Sequence, residues 1–142
     1  MNRIEDKIVA NFHKWMQNTY PLAHNLHYHI PNGGLRSKVE AVTLQAMGVL
    51  SGIPDYHIVI PSGRYLTLYI EFKRPGKITT SGDHAKKQQT VGIALRAAGH
   101  RVEVCDNLEQ AQVVVSGYLT GTYWGQSAEF DKEKKCWVPI VD

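Results

Sequence analysis

The hydrophobic positions of the N-terminal segment recur with the period of an α-helix. Over residues 3–18 they fall on one stripe, while polar side chains cover the remaining surface. The stripe consists of Ile4, Ile8, Phe12, Trp15 and Met16. We therefore predict an amphipathic first helix that packs one face against a core.

The next patterned segment, residues 26–30, has the period of a β-strand. Leu26, Tyr28 and Ile30 alternate with other residues. Pro31 and the glycine-rich turn after it end the run, since both favour turns over regular structure. The pattern predicts a short strand with these three apolar side chains on one face.

A second helix is predicted to begin at Ser37. Ser37 and Glu40 have the spacing of a capping box, in which two side chains satisfy free backbone N–H groups at the start of a helix. Its apolar positions are Val39, Val42 and Ala46. Gly48 stands where a helix commonly ends, because glycine adopts the left-handed conformation of a C-cap.

Two strand-like runs with a turn between them predict a β-hairpin. The first run covers residues 56–60, turn residues occupy 61–64, and the second run covers residues 65–74. In the second run, one face carries Leu66, Leu68, Ile70 and Phe72, and the other carries Tyr69, Glu71 and Lys73. An antiparallel return therefore brings Asp55 toward Glu71 and Lys73.

This hairpin suits metal-dependent cleavage of phosphodiesters. Mg²⁺ and Mn²⁺ prefer hard oxygen ligands, usually one or two carboxylates with waters and phosphate oxygens, and Asp55 and Glu71 supply two carboxylates. The Lys73 ammonium can neutralise charge that develops in the transition state or orient the attacking water. A solvent-facing Glu–Lys pair on an ordinary amphipathic strand is the alternative explanation.

A third helix is predicted over residues 83–98, after the loop that follows the hairpin. Its buried side would hold Val91, Ala94, Leu95 and Ala98. Gly99 stands in the helix-ending position. Residues 102–104 then alternate as in a strand.

The C-terminal part is harder to interpret from its pattern. Asp106 or Asn107 can cap a short helix through Val115. Residues 118–142 spread aromatic side chains among glycine, threonine and charged residues, which favours an added hairpin or extended tail that covers the sheet or joins a dimer interface. A base-stacking platform is the less favoured interpretation.

Length and charge limit the classes of function. A chain of 142 residues, 43% hydrophobic, is expected to form one domain with its own core. Sixteen basic and 13 acidic side chains give a net charge of only +3, so a nucleic-acid surface has to come from local clusters. The clustered basic residues are Arg36, Lys38, Arg74, Lys77, Lys86 and Lys87.

The cysteines and the N-terminal sequence predict a soluble, cytoplasmic protein. Cys105 and Cys136 lack CxxC spacing, which is typical of a reduced, intracellular chain. The first residues lack the apolar core of a signal peptide, and no apolar run approaches the length of a membrane span. No membrane partner is therefore expected.

The histidines suggest a different hypothesis. His24, His27 and His29 lie close together, and a His-x-His pair on one strand face can bind zinc. No third well-spaced ligand accompanies them, so exposed strand residues are the favoured interpretation. His57 and His84 lie near the predicted carboxylates in sequence and could touch a phosphate, but neither is predicted to be catalytic.

Seven stretches of the chain, taken in order, match the pattern of a known family. They are residues 30–37, 47–48, 51–55, 69–76, 87–88, 95–99 and 101–105. Over roughly residues 1–117, the chain resembles the virus-type replication-repair nuclease (VRR-NUC) domain, a branch of the PD-(D/E)xK nucleases. The resemblance implies an α/β fold with a mixed central β-sheet flanked by helices, a restriction-endonuclease-like core. Residues 118–142 would then be a C-terminal extension of a single nuclease domain, residues 1–142.

The resemblance also implies roles for individual residues. Asp55 and Glu71 correspond to metal-binding carboxylates, and the backbone carbonyl of Phe72 corresponds to a further ligand. Lys73 corresponds to the catalytic lysine. Gln88 resembles the glutamine that opens the helix after the catalytic strand, and it counts with Asp55, Glu71 and Lys73 as catalytic.

Other assignments by resemblance are less specific. Gln89 neighbours Gln88 and leaves that register slightly open. Glu5, with Asp6 beside it, is the candidate for a glutamate that some members place near the metal from the first helix. Asn32 joins the clustered basic residues as an expected DNA contact.

The implied function is that of a Mg²⁺- or Mn²⁺-dependent endodeoxyribonuclease without a nucleotide cofactor. Single-domain members resemble Holliday-junction resolving homodimers, so we expect a homodimer that nicks branched DNA. The same chemistry on flaps, ends or duplex DNA is a second hypothesis. A DNA-binding module that kept the fold without turnover is a third, and the intact Asp55, Glu71 and Lys73 argue against it.

Overall fold

The structure is a computed structural model that describes residues 4–31 and 37–141. The helices are α1 (Ile4–Thr19), α2 (Lys38–Ala46), α3 (Asp83–Ala97) and α4 (Leu108–Leu119). The strands are β1 (His27–His29), β2 (Tyr56–Ile58), β3 (Leu68–Phe72), β4 (Arg101–Cys105), β5 (Ala128–Asp131) and β6 (Cys136–Pro139). Short 3₁₀ turns occupy Pro21–Ala23 and Tyr123–Gly125.

A four-stranded mixed sheet organises the fold, with its strands in the order β1-β2-β3-β4. The first three strands are antiparallel neighbours, whereas β4 runs parallel to β3. Tyr56 pairs with Ile70, so β2 and β3 form the predicted hairpin. The parallel step from β3 to β4 is made through α3, as parallel neighbours require a crossover connection. The predicted mixed α/β fold with helices around a central sheet is confirmed.

The hydrophobic core lies on the sheet face that α1 and α4 cover. Phe12 of α1 makes an edge-on contact with Tyr56 of β2 and packs against Phe72 of β3, with ring centroids 4.9 and 5.1 Å apart. Ile70 is fully buried between them in the same cluster. Truncating a buried aromatic of this kind typically costs about 3–5 kcal/mol, so Phe12 anchors α1 and its first turn against the sheet.

The opposite sheet face carries the polar side chains of β3 and is partly covered by α3. Gly92 of α3 packs next to Val102 of β4, where an added Cβ would lie 3.9 Å from the valine Cγ1. Because Tyr69 pairs with Val102 and Glu71 pairs with Val104, these side chains share that face. Glu71 therefore lies beneath the first half of α3.

The strand β1 has the reverse orientation from the one that the sequence pattern predicted. His27 is buried among the core aromatics, while Tyr28 is exposed. A hydrogen bond of 2.6 Å joins Nδ1 of His27 and the Tyr56 hydroxyl. A hydrogen bond lowers the free-energy cost of burying the imidazole. The alternation of apolar residues alone could not reveal that bond's partner.

Two helices bury different residues from those predicted. α2 begins at the Ser37 cap, whose Oγ accepts from the Glu40 N–H, but it buries no side chain. On α3 the buried positions are Ala85 and Gly92, whereas Ala94 and Ala98 are exposed. Small residues face the sheet in α3 because the helix packs closely there.

The C-terminal part contains more regular structure than the pattern indicated. α4 is capped by Asn107, whose side chain accepts from the Gln110 N–H, and it continues past residue 115 to Leu119. β5 and β6 form the hairpin that was one predicted alternative, with the turn at residues 132–135. Within residues 4–31 and 37–141, none of the helices combines the length and apolar character needed to cross a lipid bilayer.

Candidate active site

Asp55 lies at the start of β2, held by bonds to both neighbouring strands. Its Oδ2 accepts from the Phe72 backbone N–H at 2.8 Å, and its carbonyl accepts from the Ile30 N–H at 2.6 Å. The loop before it packs on α3: a Cβ on Gly52, whose φ is +90°, would lie 2.9 Å from the backbone carbonyl of Lys87. Only glycine allows that approach, so Gly52 sets the position of Asp55 relative to α3.

Glu71 is held from two sides at the end of β3. Gln88 of α3 donates from Nε2 to Glu71 Oε1 at 2.7 Å, and Lys73 Nζ lies 3.4 Å from the same oxygen. The other oxygen, Oε2, is buried and has no partner among the hydrogen bonds of the described residues, although the Asp55 side chain lies near enough to interact with Glu71 and raise its pKa. Buried polar atoms are rarely left unpaired, and a bound ion is one common way in which they are satisfied.

Both carboxyl groups are harder to ionise than usual. Burial raises the pKa of Glu71 to about 8, and the nearby Asp55 charge adds to the rise while Lys73 opposes it. Burial also raises the pKa of Asp55, against the hydrogen bond from the Phe72 N–H, which lowers it. Two acids that repel each other in a poorly solvated place favour a bound cation. The donor set therefore fits a divalent metal.

These side chains open into a hollow of ≈ 190 Å³ between the first turn of α1 and the N-terminal half of α3. Its lining includes Glu5, Asp55, Glu71, Lys73 and Gln88. Across the described residues, no three His, Cys, Asp or Glu side chains come close enough together to hold a metal ion. Glu5 lines the same hollow as Asp55 and Glu71, and its role as a further ligand stays a prediction. A site with two carboxylates completed by waters is what Mg²⁺ accepts.

The sequence model of the VRR-NUC domain matches residues 2–107. The chain belongs to the VRR-NUC family. A solved structure described as a VRR_NUC domain protein is similar in fold, with a TM-score of 0.66 and 23% sequence identity over 84% of this chain and 90% of that one. That likeness shows the fold alone. No curated protein matches the chain.

The VRR-NUC match gives the hollow a nuclease-type context, and the structure distinguishes the two glutamines that the sequence left open. Gln88 reaches Glu71, whereas Gln89 donates to the Thr80 carbonyl at 3.2 Å. Gln88 lies in the second turn of α3, since that helix begins at Asp83. Gln88 therefore lies about one turn after the start of the helix, and not at its start as the resemblance implied.

Among the described residues, the predicted DNA contacts lie outside the hollow. The described members are all exposed: Lys38, Arg74, Lys77, Lys86 and Lys87. Asn32 and Arg36 lie outside the described residues. The exposed cations lie on α2, on the loop between β3 and α3, and on α3, and their DNA contacts stay predictions.

The histidines divide between the core and the site. His24 is exposed, His27 is buried beside Tyr56, and His29 lines the hollow, so they do not form a zinc site. His57 does not line the hollow. Its Nδ1 pairs with the Tyr28 hydroxyl at 2.7 Å, so the idea that it touches a phosphate is wrong for this structure.

His29 is the site residue that sequence reasoning missed. Its Nδ1 bonds the backbone carbonyl of Asp55 at 2.8 Å. The register that brings it there pairs His29 with Tyr56, next to Asp55. The sequence shows the His-x-His pair and, 25 residues later, the Pro54-Asp55 pair. It does not show the register in which the two short strands pair. His84, on the first turn of α3, also lines the hollow.

Proposed function

We propose that this VRR-NUC protein is a Mg²⁺- or Mn²⁺-dependent DNA endonuclease. The observation that carries the proposal is the convergence of the buried Glu71 carboxyl group and Asp55 in one hollow with Lys73 and Gln88. A carboxylate in this state is poised to bind a hard cation rather than to stabilise the fold.

Each residue has a role that its contacts support. Asp55 and Glu71 would hold the metal, with the Phe72 carbonyl as a further ligand, while Gln88 fixes the Glu71 carboxylate through Oε1. When bound, the metal would polarise the phosphate and lower the pKa of a bound water. Lys73, whose side chain is 18% exposed beside Glu71, would orient the attacking water or neutralise the negative charge that develops on the phosphoryl group in the transition state.

The substrate class in this proposal is DNA, bound through phosphate contacts around the site. Exposed basic side chains place positive charge at the surface. They lie on α2, on α3 and on the loop after β3, outside the core. Binding through several phosphates releases counterions, so affinity should fall steeply as salt rises.

We further propose that the protein acts as a homodimer on branched DNA such as Holliday junctions. α2 supports this idea, because it projects apolar side chains into solvent: Val39 is 77% and Val42 is 65% exposed. Met47, Val49 and Leu50 continue the exposed apolar surface after the helix. A two-fold dimer through this surface would supply two active sites, as paired incisions across a junction require.

The proposed function is tested with a panel of labelled four-way, flap, splayed and linear DNAs incubated with Mn²⁺. Products are read on a denaturing gel, beside a measurement of molar mass in solution. We expect a dimer that nicks the four-way junction more efficiently than the linear duplex. Preferred cutting of flaps or ends would replace the junction by another target, and binding without cleavage of any DNA would indicate a non-catalytic module.

A further inference from the structure

A second hollow, of ≈ 390 Å³, lies at the opposite end of the β3–β4 pair from the candidate active site. It lies where β4 begins, and we call it the basic hollow. Its lining includes Arg64, Tyr65, Arg96, His100, Arg101 and Glu103. Within the described residues, three arginines therefore share this hollow with a single carboxylate.

Tyr65 holds two of these arginines in place. The Arg64 guanidinium donates from Nη2 to the Tyr65 hydroxyl at 3.1 Å, and its Cζ lies 5.1 Å from the centre of the Tyr65 ring. The Cζ of Arg101 lies 6.0 Å from the same ring. A cation near an aromatic face is stabilised without being neutralised, so Tyr65 orients two positive groups and leaves their charge in place.

The other contacts of the arginines also preserve donors. Arg96 donates from Nη2 to the Val102 carbonyl at 2.9 Å, which uses one of the five N–H groups of its guanidinium. Arg101 donates from Nε to Glu103 Oε1 at 3.0 Å. The partner of Arg64 is a neutral hydroxyl. The group as a whole keeps an excess of positive charge and of hydrogen-bond donors.

The backbone around the basic hollow brings residue 66 directly against the end of α3. Gly99, with φ of +103°, accepts from the Leu66 N–H at 2.9 Å, and a Cβ there would lie 3.2 Å from the Leu66 side chain. The positive φ favours glycine at this position. Arg64 and Tyr65, which precede Leu66, are thereby held beside the start of β4.

We propose that the basic hollow binds a backbone phosphate of the DNA substrate, at a distance from the phosphate that is cleaved. Guanidinium groups are suited to this ligand, because their planar N–H pairs match phosphate oxygens. The inference rests on the proposed function, since it assigns a second contact point to the same DNA.

The basic hollow and the candidate active site lie along the same helix, α3, and each shares lining residues with the space between α3 and β4. Arg96 and Val102 also line a hollow of ≈ 140 Å³ between α3 and β4 that includes Glu71, Lys73 and Gln88. Leu68 pairs with Arg101 at one end of the strands and Phe72 pairs with Cys105 at the other. Four residues of strand span about 13 Å, which equals the axial length of about four nucleotides of one DNA strand.

The experiment measures DNA affinity as a function of salt for wild type, Arg64→Ala and the matched control Lys132→Ala. Arg64 is exposed, so its removal should leave the fold intact, and Lys132 is an exposed cation on the β5–β6 turn. The probe is a fluorescein-labelled duplex of about 30 base pairs in metal-free buffer, read by anisotropy. Each lost phosphate contact should lower the slope of log K against log salt by about 0.9.

We expect Arg64→Ala to weaken binding about 5- to 10-fold at about 0.1 M salt and to reduce the slope by about one contact, while Lys132→Ala matches wild type. Glu103→Gln removes the one carboxylate of the hollow and should tighten binding. Wild-type affinity and slope in Arg64→Ala, with wild type still cleaving DNA, would overturn the inference alone. A wild-type protein that neither binds nor cleaves DNA would overturn the inference and the proposed function together.

Discussion

Gln88 donates a hydrogen bond from Nε2 to Oε1 of Glu71 over 2.7 Å, and this bond joins α3 to the end of β3. Lys73 Nζ approaches the same oxygen at 3.4 Å. One carboxyl oxygen is therefore fixed by two donors, while the other, Oε2, is buried on the side of Asp55. In the proposed metal site, Gln88 would be a positioning residue for Glu71.

Gln88→Ala should lower both Mn²⁺ affinity and DNA cleavage by about 10- to 100-fold, the usual cost of removing a group that orients a ligand. Isothermal titration with Mn²⁺ and a gel assay measure the two effects. Gln89→Ala is the matched control, because Gln89 is the next residue of α3 and bonds only the Thr80 carbonyl among the contacts described here. Equal losses in the two variants would contradict the positioning role.

Lys73→Ala should reduce cleavage by at least about 100- to 1,000-fold, the size of effect seen when one group that stabilises the transition state is removed. The Lys73 side chain is only 18% exposed and pairs with Glu71, so the melting temperature and DNA binding in metal-free buffer are measured beside cleavage and should change far less than activity does. Lys14→Ala, an exposed lysine of α1, serves as the control. Equal cleavage by wild type and Lys73→Ala would remove the lysine from the mechanism.

Val42→Asp should convert the expected dimer into a monomer, because a charge placed in an apolar interface must be desolvated. The side chain is 65% exposed in the single chain, so the monomer itself should fold normally. Molar mass from light scattering and a circular dichroism melt report the two properties.

Val113→Asp provides the matched control for this substitution. Val113 is 72% exposed on α4, on a different part of the surface from α2. We expect it to stay dimeric. A monomeric wild type, or a Val42→Asp protein with the wild-type mass, would exclude α2 as the dimer surface.

Acid should destabilise the fold through His27. Burial lowers its pKa from 6.5 to about 4, with the charges of His13 and His24 adding to the effect. The unfolded chain therefore binds this proton first, and stability falls as the pH drops from 6.5 toward 4. The loss is on the order of 2 kcal/mol. Urea unfolding at about pH 7 and about pH 5 measures it, and His27→Gln should show a smaller drop than wild type.

Much of the fold followed from local patterns. The apolar stripe of α1, the Ser37 cap and the glycine at position 99 each depend on neighbours a few residues away, and the structure agrees with them except at Ile4, the first residue of the stripe, which is 56% exposed. Patterns failed where the decisive partner is distant in sequence. The burial of His27 depends on its hydrogen bond with the Tyr56 hydroxyl, and no alternation of apolar residues contains that information.

The candidate site shows the same division. Alternation along β3 predicted that Glu71 and Lys73 share a side, and the structure brings them within 3.4 Å. The approach of His29 to Asp55 depended on the β1–β2 register, which two three-residue strands do not specify by their sequence alone. The sequence likewise could not predict that the apolar side chains of α2 are exposed, because their spacing is that of a helix packed against a core.

The metal dependence of DNA cleavage tests the central claim most directly. Asp55→Asn is the sharpest comparison, since an amide oxygen can still accept from the Phe72 N–H but lacks the charge that a metal requires. Wild type should cut nothing in EDTA and regain cleavage when Mn²⁺ is added, while Asp55→Asn stays inactive at every Mn²⁺ concentration. Cleavage that survives EDTA, or equal Mn²⁺-dependent cleavage by Asp55→Asn, would contradict a metal centre on Asp55 and Glu71.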